Sequence, residues 1–148
     1  PGTAQRRRLM ATCVIATDAE IAGAIESFEN AADAVDMRPP EVGMIMLRGR
    51  IGGDGAPFNA GEATMTRAVV RISTGEVGYS YLLGRNKARA RMAAIIDAVG
   101  QSSSQHRARL EEAFVAPVMA RAETERQGKR AETEATRVNF FTLVRGDD

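Results

Sequence analysis

The sequence predicts an α+β fold: two N-terminal helices, an antiparallel meander of three to four strands, then C-terminal helices and an extended apolar tail. Three observations predict it. Thr17-Asp18-Ala19-Glu20 has the capping-box pattern, in which Thr17 and Glu20 satisfy each other's orphan amides at a helix start. Residues 62–83 alternate around Thr74-Gly75, a turn pair weaker than Asn-Gly but in hairpin position. Met92, Ile95, Ile96 and Val99 then recur at helical spacing. The chain has 148 residues, which suits one domain, 1–148, with a core of ordinary size.

In chain order, Leu9, Met10, Cys13 and Val14 share one side of a first helix over residues 6–16. Ile21, Ala24, Ile25 and Phe28 follow the capping box at helical spacing. Pro39-Pro40 forbids helix and makes Arg38 extended. A strand over Val42–Ile51 has apolar residues at both phases, which implies cover on both sides. Met44, Met46 and Met65 read as core filling. Residues 52–61 read as a loop, with Asp54-Gly55 and Pro57 as turn chemistry. Glu62–Ser73 is the next strand, with Ala68, Val70 and Ile72 on one face and Arg67, Val69 and Arg71 on the other. Val77–Leu83 returns beside it, with Tyr79 and Tyr81 opposite small Gly78 and Ser80. Asn86 caps a helix to Gly100, and residues 101–105 form a polar linker. A further helix from Arg107 breaks before Pro117 and resumes from Val118 to about Thr136.

Composition excludes several functions. The formal charge of +1 gives no basic field for nucleic acid, and aromatics at 5% offer no stacking platform. No apolar run reaches the roughly 18 residues of a membrane span. The lone Cys13 sits on an apolar stripe and reads as a buried thiol in a cytoplasmic protein. The lone His106 has no neighbouring metal ligands and reads as a surface residue.

Three features remain. The glycine-rich stretch 49–61 can cradle an anion through backbone amides, or form a turn shaped to another protein. It lacks the Lys-Ser/Thr of a P-loop, and a strand rather than a helix follows it. Arg85, Lys87, Arg89 and Arg91 crowd a helix start, where cations oppose the macrodipole. An anionic ligand or an acidic partner would offset this; the alternative is a solvated face. Finally, residues 121–137 are polar nearly all round, yet lead to Val138-Asn139-Phe140-Phe141-Thr142-Leu143-Val144. A polar arm with an apolar tip suits docking to a partner through 118–148; the alternative is a last strand on the chain's own sheet.

Taken together, Arg50-Ile51-Gly52-Gly53-Asp54-Gly55, the run Phe58–Arg67, Gly78-Tyr79-Ser80-Tyr81 with Gly84-Arg85-Asn86-Lys87, and Val138–Asp147 resemble the G subunit of the phosphonate carbon–phosphorus lyase system. The resemblance implies a cytoplasmic subunit of a core complex with the H, I and J subunits and accessory ATPase-like K and L subunits. It implies support for transfer of the ribose triphosphate of ATP from adenine to an alkylphosphonate. The I subunit is held to carry the nucleosidase-like centre. No catalytic residue, metal or cofactor follows for this chain, which fits its lack of an acid–base constellation. The expected role is non-catalytic and assembly-stabilising, with Phe58, Phe140, Phe141, Leu143 and Val144 as interface candidates. The alternative makes Arg67, Arg85 and Lys87 contacts for triphosphate or phosphonate in a shared site. A stand-alone anion-binding module is the third reading.

Overall fold

A computed structural model describes residues 2–136. The elements are α1 (Thr3–Ile15), α2 (Asp18–Glu26), β1 (Val35–Arg50), β2 (Pro57–Arg71), β3 (Val77–Leu83), α3 (Lys87–Ser102), α4 (Ser104–Leu110) and α5 (Ala116–Ala135). The sheet is antiparallel in the order β1-β2-β3, so the expected α+β meander is present with three strands among the described residues. The tail Val138–Val144 lies outside the described residues.

One face of the sheet meets α3. Ala68 and Val70 point inward from β2, with Ile72 just past its end, as their alternation requires, and Gly78, Ser80 and Leu82 do so from β3. The facing side of α3 is built from alanines: Ala90, Ala93, Ala94 and Ala98 are fully buried beside Ile96 and Val99. Small residues meet small residues, so helix and strand approach closely. A Cβ on Gly78 would lie 1.9 Å from the Ala94 carbonyl oxygen. Ser80 Oγ donates to the Ala90 carbonyl at 2.6 Å across the same seam. α1, α2 and α4 close the other side of α3, and the π-helical turn after α4 packs on α1 and α2, with Leu9, Ile21 and Phe114 in the shared core.

Several boundaries differ from the sequence expectation, each for a physical reason. β1 begins at Val35, not Val42, and Pro39-Pro40 lies in a register shift between Arg38 and Glu41. β1 is an edge strand, where proline's missing donor costs no ladder bond. The loop expected over 52–61 is shorter, because β2 already starts at Pro57. The helix does not break before Pro117. Residues 111–115 widen into a π turn, in which Ala116 N–H donates to the Glu111 carbonyl five residues back. That wider turn carries the chain past a residue with no N–H without leaving the helix. The stretch 101–105 is no linker: Ser103 caps α4, its Oγ accepting from His106 N–H at 3.0 Å.

The capping box at Thr17 forms as read, with Glu20 N–H donating to Thr17 Oγ1 at 3.2 Å and Thr17 N–H to Glu20 Oε2 at 2.7 Å. Glu20 also receives Arg121 Nε at 2.8 Å, and Arg121 Nη1 reaches Glu125 at 2.7 Å. Here α5 is fastened to the body; from Thr124 onward it is exposed on every side. The Arg121 hydrogen bond, then the Thr17 amide, lowers the Glu20 carboxyl from its ordinary 4.5 to about 2. An acid whose folded value is lowered contributes stability above its unfolded value and loses it as pH falls through the folded one. The tether should therefore fail between about pH 4.5 and pH 2. Thermal melts of wild type and Glu20→Gln should converge across that window; a gap unchanged down to pH 2 would assign the tether no role.

Candidate assembly surface

β3 ends at Leu83, opposite Met65. Beyond that point β1 and β2 pair only with each other, from Met44–Thr64 to Arg50–Pro57. At ~3.3 Å per residue this two-stranded arm projects roughly 20 Å past the rest of the sheet. Its tip is a tight turn in which Gly52 and Gly53 take φ of 66° and 89°, a region open to glycine. The Gly55 amide bonds to the Ile51 carbonyl at 3.0 Å, and Arg50 Nη1 to the Gly55 carbonyl at 3.0 Å. The glycines thus shape a turn rather than a recognisable phosphate loop.

The arm is apolar where water should be. Met44 is 71% exposed, Ile51 75%, Met46 49%, Phe58 45% and Leu47 42%. Met44 and Met46, expected in the core, therefore lie on the surface, and cover for the two faces of the arm does not come from the described residues. Strand alternation puts Met44, Met46, Arg48 and Arg50 on one face. Ile45 and Leu47 lie on the other, with Phe58, which pairs with Gly49 across the bulge between Leu47 and Arg48. The Phe58 ring shields that glycine, 3.3 Å from where a Cβ would stand.

The second face runs on into the sheet's uncovered side, where Leu83 is 70% and Tyr81 61% exposed. Tyr79, Tyr81 and Leu83 of β3 point outward, whereas Gly78 and Ser80 lie inward where α3 approaches most closely and only small residues fit. Arg67, on this outer face opposite Tyr81, is committed: its Nε donates to Glu41 at 2.7 Å, and Glu41 also holds Arg38 at 3.2 Å. At its base the β3 edge is closed by α3. Tyr79 N–H donates to Asp97 Oδ2 at 2.8 Å, and Gln101 Nε2 donates to the Val77 carbonyl at 3.1 Å. Sequence reading gave no hint of Asp97, which looks like an ordinary polar position of an amphipathic helix.

The basic helix start divides in two. Arg89 reaches Asp18 and the carbonyls of Cys13, Val14 and Ala16, gathering the negative end of α1. Arg91 takes Asp36 at 2.7 Å and the Ala34 carbonyl. Arg85 and Lys87 are exposed and pair with no described residue. They stand beside the base of the arm, where Gly84 N–H bonds to the Thr64 carbonyl at 2.8 Å.

Nothing described assembles a reaction centre. A cleft of about 390 Å³ between α1, α3 and α4 contains Arg6, Asp97 and Arg107 over apolar Leu9 and Leu110. Arg6 is bound to Asp97 in it, and Arg8 pairs with Glu111 at 2.8 Å. Cys13 is fully buried, and that burial pushes its thiol up to about 12, which makes it a poor nucleophile. His106 is half-buried rather than a free surface residue, its Nδ1 2.7 Å from Ser102 Oγ and its ring edge-on to Phe28. Among the described residues no cluster of His, Cys, Asp and Glu is placed to hold a metal, and no helix is long and apolar enough to cross a membrane.

Residues 4–146 match the family described as phosphonate metabolism protein PhnG. A protein of Rhizobium meliloti (strain 1021), alpha-D-ribose 1-methylphosphonate 5-triphosphate synthase subunit PhnG, is 52% identical over 147 residues, covering 99% of this chain and 93% of the relative.

Proposed function

This chain belongs to the PhnG family of phosphonate metabolism proteins, and from that premise we propose that it is a non-catalytic subunit that stabilises a ribose 1-methylphosphonate 5-triphosphate synthase complex. Its sister chains carry the transfer of ribose triphosphate from adenine to an alkylphosphonate. The observation that carries this reading is the arm. An isolated two-stranded ribbon is marginal in water, and this one exposes Met44, Met46, Leu47, Ile51 and Phe58. Such a surface gains stability only when another chain covers it. The proposed partners are the H, I and J subunits in the cytoplasm, with accessory K and L subunits and no cofactor on this chain. The tail residues Phe140, Phe141, Leu143 and Val144, which follow α5 in the sequence, belong to the same proposal as a second docking point.

The test shortens the arm. Ile45 and Ala63 face each other in register, so residues 46–62 can be replaced by an Asn-Gly turn without disturbing the sheet below. The shortened chain should melt within a few degrees of wild type and fail to co-purify with the co-expressed sister subunits. Full co-purification would overturn the assembly role of the arm. A second reading rests on Arg85 and Lys87, exposed and unpaired among the described residues, as contacts for triphosphate or phosphonate. Under it, Arg85→Gln with Lys87→Gln raises KM in an intact complex. Under the assembly reading, activity falls only in step with co-purification. Arg67 is the weaker member of that set, because Glu41 already neutralises it.

A further inference from the structure

Resting on the assembly reading, we propose that the arm is gripped on both faces inside an apolar cleft of a different polypeptide, a cleft whose rim is acidic on the Met44–Met46 side. The first argument is geometric. Past Met65–Leu83 the ribbon has neither a third strand nor a helix against it among the described residues. Met44 and Met46 stand on one side, and Leu47 and Phe58 on the other, each at least 42% exposed. A partner lying flat on the ribbon would bury one pair and leave the other in water. Only a cleft removes both from water, and apolar burial is the main favourable term in such an interface.

The second argument is charge. The Met44–Met46 face continues into Arg48 and Arg50, with Arg85 and Lys87 beside its base. None of the four has an acidic partner among the described residues. Glu62, opposite Met46, is the one acid in that row. The other face is different: its arginines near the arm, Arg38 and Arg67, share Glu41. A second copy of this chain is a poor occupant for the cationic face. A two-fold contact uses the same patch twice and would set arginines against arginines. Carboxylates of a different chain answer both the charge and the apolar need.

The test uses the full-length chain with its co-expressed sister subunits and three double variants: Met44→Ser with Met46→Ser, Leu47→Ser with Phe58→Ser, and Arg48→Glu with Arg50→Glu. All six residues are exposed, so the free chains should melt close to wild type. Each apolar pair should weaken association about tenfold or more. The charge reversal should weaken it comparably, chiefly through the on-rate, and flatten its salt dependence. If one apolar pair matters and the other does not, the cleft is wrong while the assembly reading stands. If neither matters and the shortened arm still assembles, both fall. Tighter binding of the charge-reversed chain would overturn the acidic rim. A wild-type chain that dimerises alone in sedimentation, and loses the dimer with Met44→Ser and Met46→Ser, would make the occupant a second copy and overturn the proposal.

Discussion

Gly78→Ala should be among the most damaging small substitutions in the chain, lowering the melting temperature by roughly 10 °C or more. The added methyl would stand 1.9 Å from the Ala94 carbonyl oxygen, 2.6 Å from Ala98 N and 2.9 Å from Ala98 Cβ. Two of those neighbours are backbone, so no rotamer change relieves the clash. The whole of α3 must lift off β3, and α3 is the most deeply buried helix of the fold. Lifting it stretches the Ser80–Ala90 bond at 2.6 Å and the Tyr79–Asp97 bond at 2.8 Å. Overpacking alone costs about 1–3 kcal/mol, and each weakened bond adds about 1 kcal/mol. Against a total stability of roughly 5–15 kcal/mol that is a large share. Gly128→Ala is the matched control. It lies in exposed α5 with nothing within 4 Å of its Cβ position, so the same change there should be neutral or stabilising by up to about 1 kcal/mol. If Gly78→Ala melts like Gly128→Ala, close helix–strand packing does not hold this fold together.

That seam was only half legible. The stripe Met92, Ile95, Ile96 and Val99 announced α3, and the alternation of β2 announced its inner face. The contact itself is made by Ala90, Ala93, Ala94 and Ala98 against Gly78 and Ser80. Small residues carry little hydrophobic signal, so a periodicity count passes over the closest packing in the molecule. The capping box was fully legible because its two partners lie three residues apart. The reach of Arg121 to Glu20 was not, since it spans 101 residues. Pro117 misled because a π turn can absorb a missing donor as readily as a break can.

The arm shows a different failure. Apolar residues at both phases of β1 are visible in the sequence and predict cover on both sides, yet among the described residues both faces of the arm are exposed. Assigning that cover to the chain's own core was the error. On the assembly reading proposed above, the cover comes from another chain, and the periodicity of one sequence cannot say whose atoms supply it. The basic helix start divides the same way. Arg89 and Arg91 are answered by Asp18, Asp36 and the carbonyls closing α1, which fold next to them. Arg85 and Lys87 are left over, and the same local pattern could not sort one pair from the other.

Asp97→Ala should destabilise the chain by about 3 kcal/mol, the lower end of the range for breaking a buried ion pair. Asp97 is 1% exposed and holds four donors: Arg6 Nε at 2.8 Å, Arg6 Nη2 at 2.7 Å, Tyr79 N–H at 2.8 Å and Gln101 Nε2 at 3.2 Å. Alanine leaves both Arg6 donors and the Tyr79 N–H without this acceptor, while Gln101 Nε2 keeps the carbonyls of Val77 and residue 97. The Arg6 side chain is 39% exposed and recovers part of its hydration, which is why the lower end applies. Asp97→Asn should cost less, because its carbonyl oxygen can still accept from Tyr79 while its NH₂ repels the Arg6 donors. Arg6→Ala combined with Asp97→Ala should then be less than additive, the mark of a direct pair. Fully additive losses in chemical denaturation would place the stabilising contribution of Asp97 elsewhere. The substitution also tests how the sheet separates folding from assembly. Asp97 and Gln101 close the β3 edge at its base, and an opened edge is a template for unwanted strand pairing. Asp97→Ala should therefore sediment with added self-association at high concentration, while chains that remain folded still join their sister subunits through an unaltered arm. Loss of both together would mean that core and docking surface are one unit, and that the arm is held in position by the buried charge behind it.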